Sequence, residues 1–155
     1  MMMAAASRAR GKTILVIDDD PDIVRIIRYM LRDAGCQVSY AYNGADGIQK
    51  AKAEKPDLVL TDLSMPNVSG IEVIDALHND PETQHIPILA VTGHAWDTIA
   101  QVAHQFGCMG CVSKPFTREQ LLQQVRRSLD PASRQAPAAP PVAAPSTEVL
   151  RLRTD

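Results

Sequence analysis

The chain lacks long hydrophobic runs, has few cysteines, and carries no excess of basic residues in its central part. No apolar stretch approaches the roughly 20 residues that span a bilayer, and residues 1–12 lack the apolar core of a secretory signal. We therefore expect a cytoplasmic protein without a membrane partner. Residues 13–130 hold 10 basic and 16 acidic residues, a net charge of −6. Because nucleic-acid binding needs a concentrated basic face, this balance argues against a DNA partner.

The chain has three cysteines, and an odd number agrees with a reducing compartment. Cys108 and Cys111 form a Cys-x-x-Cys pair. A redox pair of this type usually opens a helix, whereas this pair leads into a predicted strand. A structural zinc would need a second pair of ligands, which the 4 scattered histidines do not obviously supply. We interpret these cysteines as small buried residues rather than as a metal or redox centre.

Length and composition predict one globular domain between two tails. A chain of 155 residues with 45% hydrophobic content has room for one ordinary core. From Pro131 onward the sequence turns to Pro, Ala and Ser, a composition that cannot bury enough apolar surface to fold. We expect a flexible tail over residues 1–11, a domain over 12–130 and a disordered tail over 131–155. Since nothing folded is expected after residue 130, the output should be binding to other proteins.

Strand-like and helix-like segments alternate five times, which predicts a parallel sheet with helices on both faces. The predicted strands are residues 13–18, 37–41, 58–62, 86–92 and 109–113. Apolar residues at helical spacing mark the helices, namely Ile23, Ile26, Ile27, Met30 and Leu31; Ile48 and Ala51; Ile71, Ile74 and Leu77; Ile99, Val102, Ala103 and Phe106; and Leu121, Leu122, Val125 and Leu129. Asp20 before Pro21, and a capping box from Thr117 to Gln120, predict where the first and last helices begin.

Five polar residues follow the predicted strands at one edge of the sheet. Asp18 and Asp19 follow the first strand, Asp62 the third, Thr92 the fourth and Lys114 the fifth. Each alone has an ordinary structural explanation, since acids before a helix stabilise its positive end by about 0.3–1 kcal/mol. Carboxylates held about 4 Å apart, however, repel by roughly 1–4 kcal/mol per pair. A fold that keeps three together is expected to bind a cation, and all-oxygen ligands suit Mg²⁺ or Mn²⁺ better than zinc.

Asp62 ends the middle strand, at the edge where open α/β sheets collect their ligands. It is therefore the candidate nucleophile for attack on phosphorus, with a metal neutralising charge on the transferring oxygens. The Lys114 amine and the Thr92 hydroxyl can bind the same oxygens. An aspartyl-phosphate phosphatase is a remote alternative, because the second Asp that it needs two residues on is Ser64 here. A flavin mononucleotide binder would need a Ser/Thr/Gly-rich loop after the first strand, and that loop is acidic.

Four segments together resemble the receiver domain of two-component response regulators: residues 14–20, 62–66, 91–93 and 114–116. The resemblance covers about residues 12–130 and implies a flavodoxin-like, five-stranded parallel sheet of order 2-1-3-4-5. It also implies that Asp62 accepts a phosphoryl group from a histidine kinase or a histidine phosphotransfer protein. By this resemblance the chain is a phosphoacceptor with intrinsic autophosphorylation and autodephosphorylation chemistry, and not an enzyme. A phosphate shuttle within a phosphorelay is the alternative.

The same resemblance implies roles for individual residues. Mg²⁺ would be held by the carboxylates of Asp19 and Asp62 and by the backbone carbonyl of Ser64, while Asp18 would act on the ion mostly through water. Thr92 and Lys114 would bind the phosphoryl oxygens. Movement of Thr92 would then carry the signal to a face formed by the fourth helix, fifth strand and fifth helix, where a downstream protein would bind.

Four positions depart from the usual receiver pattern or adjust it. Cys111 stands where receiver domains usually carry Tyr or Phe, so the customary aromatic partner of the threonine is missing. Ser64 and His94, each two residues beyond a site residue, would flank the path of the hydrolytic water. His94 is either a neutral surface residue or a group that changes the lifetime of the phosphorylated state. Ser69 precedes Gly70 at a position where receiver domains often carry Asp, and a serine there can still cap the third helix.

Overall fold

The computed structural model describes residues 9–93 and 98–134 of the chain. Within these ranges the elements are, in chain order, β1 (Thr13–Ile17), α1 (Pro21–Asp33), β2 (Gln37–Ala41), α2 (Gly44–Glu54), β3 (Leu58–Thr61), α3 (Gly70–His78), β4 (Ile88–Thr92), α4 (Thr98–Gln105), β5 (Gly110–Ser113), α5 (Arg118–Leu129) and a short 3₁₀ helix (Pro131–Arg134). The strands pair in parallel in the order β2-β1-β3-β4-β5. The predicted order of the sheet is confirmed.

The helices begin and end at residues that suit those positions. Asp20 caps α1, because its side chain accepts a hydrogen bond from the backbone N–H of Asp22, and Pro21 occupies the first turn. Gly35, just past the end of α1, has a φ of +93°, which a residue with a Cβ adopts only under strain. Thr117 opens α5 with the predicted capping box, in which Thr117 and Gln120 each accept from the other's backbone N–H.

Two hydrophobic clusters fill the two faces of the sheet. Along β1, Ile14 and Val16 point to one face while Leu15 and Ile17 point to the other, and all four are at most 1% exposed. The first face is covered by α1 and α5, and the second by α2, α3 and α4. A strand buried on both faces must be apolar throughout, which explains why β1, β3 and β4 read as continuous apolar runs.

Two residues predicted to line buried helix faces are exposed instead. Ile26 is 46% exposed and Phe106 is 39% exposed, whereas Val24, which the predicted stripe omitted, is 1% exposed. The buried face of α1 is centred on Val24, Ile27 and Leu31, so Ile26 lies on its flank. The predicted start of the fourth strand at residue 86 is also too early, because the N–H of Ile86 bonds back to the carbonyl of Thr83 at 2.9 Å.

The folded part begins before the predicted boundary at residue 12. Ala9 is fully buried, and its carbonyl accepts hydrogen bonds from Lys12 N at 3.1 Å and from Cys36 Sγ at 3.2 Å. At the other end, a 3₁₀ helix over Pro131–Arg134 continues past the predicted boundary at residue 130. The rest of both predicted tails lies outside the described residues. Among the helices that the structure does describe, none has the length and apolarity to cross a bilayer.

Candidate functional site

The predicted edge of the sheet brings Asp18 and Asp62 side by side. They follow β1 and β3, which are paired in register so that Ile17 lies opposite Thr61. The N–H of Asp62 donates to the carbonyl of Ile17 at 2.9 Å, and the N–H of Asp18 donates to that of Ala41 at 3.2 Å. The backbones of both acids are therefore fixed by hydrogen bonds that continue those of the sheet. Asp18 is 1% exposed and Asp62 is 7% exposed, so both carboxylates are withdrawn from water.

The three acids after β1 have three different environments. The side chain of Asp18 turns inward and accepts a hydrogen bond from the N–H of Asp20 at 2.9 Å. Asp20 caps α1 and does not join the cluster. Asp19 is exposed but still directs a carboxylate oxygen toward the site, where the oxygens of Asp18, Asp19 and Asp62 all lie within 4.8 Å of one another. Helix capping therefore explains only Asp20.

Lys114, which directly follows the carboxyl end of β5, completes the cluster. Its Nζ donates to Asp18 Oδ2 at 2.8 Å and to Asp62 Oδ2 at 3.3 Å. Its backbone N–H donates to the carbonyl of Thr92 at 2.9 Å, so β4 positions the lysine. The Lys114 side chain is 21% exposed, whereas its two partners are 2% and 9% exposed. One half-buried cation thus bridges two buried carboxylates.

Burial and charge change the proton affinity of two members of this cluster. Burial raises the pKa of Asp18 above its ordinary value, and it outweighs the opposing effects of the Lys114 and Asp20 hydrogen bonds. For Lys114, burial lowers the pKa, but the hydrogen bond to Asp18 and the charges of Asp18 and Asp62 together raise it above the ordinary value. Lys114 is therefore a permanent positive charge near neutral pH.

The loop after β3 presents Asp62 through buried anchors. Leu63 and Met65 are 2% and 8% exposed, whereas Ser64 between them is exposed. The N–H of Ser64 donates to Asp62 Oδ1 at 3.3 Å. Ser69 caps α3, as predicted, because its Oγ accepts from the N–H of Glu72 at 3.2 Å. The loop thus packs on alternate side chains and leaves the polar ones facing outward.

Gly70 is a site residue that the sequence interpretation missed. A Cβ at this position would lie 1.9 Å from the carbonyl oxygen of Asp62 and 2.6 Å from Leu63 Cα. Real Cβ atoms do not approach backbone atoms so closely, so only glycine allows α3 to start against the residue that carries the candidate nucleophile. The sequence signal for this role is a glycine in the first turn of a helix, which is also common for other reasons.

The remaining predicted residues lie nearby or outside the described part. Thr92 ends β4 and is fully buried. Cys111 is opposite Ala90 in β4, so its half-buried side chain shares the α2, α3 and α4 face of the sheet with Thr92. His94 lies outside the described residues, so its two interpretations both stay predictions.

The Cys-x-x-Cys pair has the properties of buried thiols. Burial raises the pKa of Cys108 to about 11 and that of Cys111 to about 12, and the Sγ of Cys108 donates to the carbonyl of Gly110 at 2.8 Å. A metal ligand or redox nucleophile must be a thiolate. Cys108 is buried as predicted, although Cys111 is only partly so.

The residues at the sheet edge fit a hard divalent cation. Three carboxylates converge within 4.8 Å and two of them are buried, so their mutual repulsion is compensated only in part by the single charge of Lys114. The donors are all oxygen, which matches Mg²⁺ or Mn²⁺. Among the described residues, this is the one group of three or more acidic, histidine or cysteine side chains close enough to share an ion.

Comparison with known proteins agrees with this site. The model of the response regulator receiver domain matches residues 14–126. The polar-differentiation response regulator DivK of Brucella anthropi is 30% identical over 121 residues, which cover 78% of this chain and 98% of DivK. The structure of the chemotaxis protein CheY4 of Vibrio cholerae superposes with a TM-score of 0.72 at 29% identity, covering 76% of this chain and 98% of CheY4.

A third relative has a metal at its site. The receiver domain of a sensor histidine kinase from Pseudomonas aeruginosa, solved with a magnesium ion coordinated in its active site cleft, has a TM-score of 0.72 at 26% identity, covering 77% of this chain and 98% of that domain. The family match begins at the second residue of β1, contains the other four strands and includes most of α5. The chain therefore belongs to the response regulator receiver domain family, whose members act as phosphoacceptors in two-component signalling.

Proposed function

We propose that Asp62 accepts a phosphoryl group from a phosphohistidine on a histidine kinase or histidine phosphotransfer protein, and that its phosphorylation changes which proteins this chain binds. The observation that carries the proposal is the contact of a buried carboxylate, Asp62, with the amine of Lys114 at 3.3 Å inside an acidic cluster. The chain would act in the cytoplasm as a phosphoacceptor and would not turn over a separate substrate.

The transfer step follows from the chemistry of the two groups. A carboxylate oxygen of Asp62 attacks phosphorus and forms the O–P bond, while the P–N bond to the histidine breaks. Its electron pair stays on the imidazole nitrogen, which takes up a proton. The phosphoryl group carries about 1.5 to 2 negative charges, and because the Asp62 carboxylate gives up its own charge on forming the O–P bond, the net gain at this buried place is at most about one. Lys114 Nζ already donates a hydrogen bond to Asp62, and after the transfer it can donate to a phosphoryl oxygen instead.

Mg²⁺, or Mn²⁺ in its place, would be held by Asp18, Asp19, Asp62 and the backbone carbonyl of Ser64. The convergence of three carboxylates supports the first three ligands. When bound, the ion would neutralise charge on the transferring oxygens. Among the described residues, Lys114 is the cation in contact with Asp18 and Asp62, and a bound divalent ion would add the positive charge that a phosphoryl group calls for.

The output would start at Thr92, whose hydroxyl would bind a phosphoryl oxygen on Asp62, as the receiver family implies. Its movement would alter the face made by α4, β5 and α5, where a downstream protein would dock. Cys111 is smaller than the aromatic residue usual at its position, so no ring is available to turn as the threonine moves. The alternative function is a phosphate shuttle. It would be detected as transfer of the phosphoryl group from the phosphorylated chain to a histidine phosphotransfer protein.

Phosphorylation can be tested with a small phosphodonor such as acetyl phosphate and Mg²⁺, followed by intact mass spectrometry. We expect one phosphoryl group on the wild-type protein, and none on Asp62→Asn or after addition of EDTA. Asp57→Asn is the matched control, because Asp57 precedes the same strand at its opposite end and bonds to Thr13 N at 2.8 Å. Labelling of Asp62→Asn at the wild-type level would refute the proposal.

The role of His94 is tested by the rate at which the label is lost. If His94 tunes the lifetime of the phosphorylated state, His94→Ala should dephosphorylate at a different rate from wild type. Identical rates would leave His94 as a surface residue.

A further inference from the structure

A group of basic side chains lies at the edge of the sheet opposite Asp62, and the phosphorylation site does not use it. Arg10 and Lys12 belong to the segment that leads into β1, and Arg126 and Arg127 belong to the last turn of α5. Because α5 starts after the carboxyl end of β5 and packs back along the sheet, its last turn lies at the amino-terminal edge, where β1 begins. We call these four residues the basic patch.

Contacts around one buried cysteine bring the two parts of the basic patch together. Arg10 lies directly against Gly35, since a Cβ on that glycine would be 3.0 Å from Arg10 Cγ. Cys36, the next residue, donates its thiol to the carbonyl of Ala9 at 3.2 Å. Burial raises the pKa of Cys36 and the charge of Arg126 opposes this shift, so Arg126 lies near the same thiol. The segment before β1 and the last turn of α5 therefore form one surface.

The basic patch has no acidic partner of its own. Within residues 9–93 and 98–134, no carboxylate lies within 4.0 Å of any of its four basic groups. Two acids lie at the same edge, but each already accepts a backbone N–H: Asp57 from Thr13 at 2.8 Å, and Asp130 from Ala132 at 3.1 Å. The basic patch is thus positive, although residues 13–130 carry a net charge of −6.

The members of the basic patch differ in how firmly they are held. Arg126 is half-buried, and its Nε is buried without a hydrogen-bond partner in the described structure, so packing fixes the stem of its side chain. An arginine fixed in this way loses less side-chain entropy when its guanidinium binds an anion. Arg10, Lys12 and Arg127 are exposed and can reach the same ligand from the sides.

The charge distribution favours a short acidic ligand over an extended polyanion. A nucleic acid or a membrane covers much more than one patch, and would also meet the rest of a domain with a net charge of −6. Single-stranded nucleic acids in addition need exposed aromatic rings on which bases stack. The exposed aromatic side chains that the structure describes, Tyr29, Tyr42 and Phe106, all lie outside the segments that form the basic patch. A short run of carboxylates meets only the positive surface.

We propose that the basic patch binds an acidic, unstructured segment of a partner protein. Carboxylates at neighbouring positions of that segment pair with Arg126 and Arg127, and those further along pair with Arg10 and Lys12. The five residues of β1, at about 3.3 Å each, place the patch about 16 Å from the edge that holds Asp62. Charges in water act over roughly 8 Å at physiological ionic strength. Binding at the patch is therefore independent of phosphoryl transfer, and it docks the chain on a partner while the phosphorylation site stays open.

The probe for this proposal is a fluorescein-labelled peptide with a run of glutamates between glycines. Its matched control is the same peptide with every glutamate replaced by glutamine. We expect the acidic peptide to bind the full chain by fluorescence anisotropy, with amide chemical-shift changes centred on residues 9–12 and 123–130, and the glutamine peptide not to bind. Binding should weaken as salt rises, because exposed charges are screened.

Variants locate the binding surface. Lys12→Gln and Arg127→Gln should each weaken binding of the acidic peptide about threefold, the size of one exposed ion pair, and the double variant about tenfold. Arg126→Gln should weaken it about tenfold, since this arginine is partly desolvated. Both Lys12 and Arg127 are exposed, so their variants decide the outcome if Arg126→Gln does not fold. Lys52→Gln, an exposed base that contacts Asp80 on another part of the surface, should bind as wild type.

The test separates this proposal from phosphorylation and from other polyanions. Variants of the basic patch should still be labelled by acetyl phosphate, and Asp62→Asn should still bind the acidic peptide, so the two proposals fail separately. A short DNA single strand and vesicles of phosphatidylserine and phosphatidylcholine are titrated in parallel, and both should bind more weakly than the peptide. The proposal is overturned if the acidic peptide does not bind, if the glutamine peptide binds equally, if the Lys12 and Arg127 variants bind like wild type, or if DNA or vesicles bind more tightly.

Discussion

Replacing Lys114 with methionine tests the electrostatic argument about the site directly. Met keeps much of the lysine stem and removes the charge that lies 2.8 Å from Asp18 and 3.3 Å from Asp62. Removing one partner of a fully buried ion pair costs about 3–5 kcal/mol. Since the Lys114 side chain is 21% exposed, water can solvate part of the loss. We therefore expect Lys114→Met to lower the free energy of unfolding by about 2–4 kcal/mol near neutral pH.

The loss should depend on pH in a defined direction. The pKa of Asp18 in the folded protein is above its ordinary value of 3.8, so ionised Asp18 costs stability as pH rises through the window between those two values. Methionine removes the hydrogen bond and charge that hold this pKa down, so the window widens and the cost grows. The raised pKa of Lys114 contributes stability that is fully present below pH 10.5, so this contribution is constant between acid and neutral pH. The difference between variant and wild type should be small in acid and largest near neutral pH.

Urea unfolding followed by circular dichroism, at about pH 4.5 and about pH 8, measures this difference. Lys52→Met is the matched control, because Lys52 also contacts an acid, Asp80, at 3.3 Å, but on the surface with side-chain exposures of 46% and 23%. The pKa of Asp80 is lowered from 3.8, chiefly by the Glu82 backbone N–H, so its contribution is constant above that pH. We expect a smaller, pH-independent loss for Lys52→Met. An equal loss at both pH values for Lys114→Met would refute the reasoning.

Three further changes test other parts of the structure. Gly70→Ala should destabilise the protein by about 3 kcal/mol in urea unfolding, because backbone atoms block the Cβ. Gly110→Ala is the control and should be tolerated, because its Cβ would meet only Leu89, at 3.4 Å, and Gln124 at 3.5 Å. Equal urea midpoints for the two variants would contradict this prediction. Thr117→Ala should cost about 1 kcal/mol by loss of the capping box, while Thr117→Ser should not. The pKa values of the Cys108 and Cys111 thiols are raised to about 11 and about 12, so both should react slowly with Ellman's reagent at pH 8 until urea unfolds the chain. Fast reaction of these two thiols in the folded protein would contradict the view that they are buried and protonated.

The architecture was predictable because burial imposes a pattern on each strand and helix. The strand at 37–41 has the predicted bounds, and α1 and α5 start at the predicted caps. The errors arise where a local pattern competes with packing. Ile26 fits the helical spacing but lies beside the contact face, and Ala9 is buried although the segment around it is polar and short. Such positions depend on which neighbours arrive from elsewhere in the chain.

The candidate site was predictable only as a set of residues at one edge. The acids, Thr92 and Lys114 were assigned there by strand order. In the structure, carboxylate oxygens of Asp18, Asp19 and Asp62 lie within 4.8 Å of one another, and Lys114 contacts Asp18 and Asp62. The assignment of roles to these residues, like that of Cys111 in the output, remains a prediction. The role of Gly70 was not anticipated, because a close approach between backbones leaves no periodic signal in the sequence.

By itself, the sequence determined the alternation of strands and helices and the caps of the helices, because these depend on residues close together in the chain. It also indicated the family, through four short motifs in a fixed order. Tertiary structure alone decided that Lys114 reaches Asp18 and Asp62 across 96 and 52 positions. It also decided that Asp18 is buried while its neighbour Asp19 is exposed, and hence that the pKa of Asp18 is raised. The physical reason is that charge interactions and desolvation depend on distance in space and on exclusion of water, and both exist only once all the elements have packed.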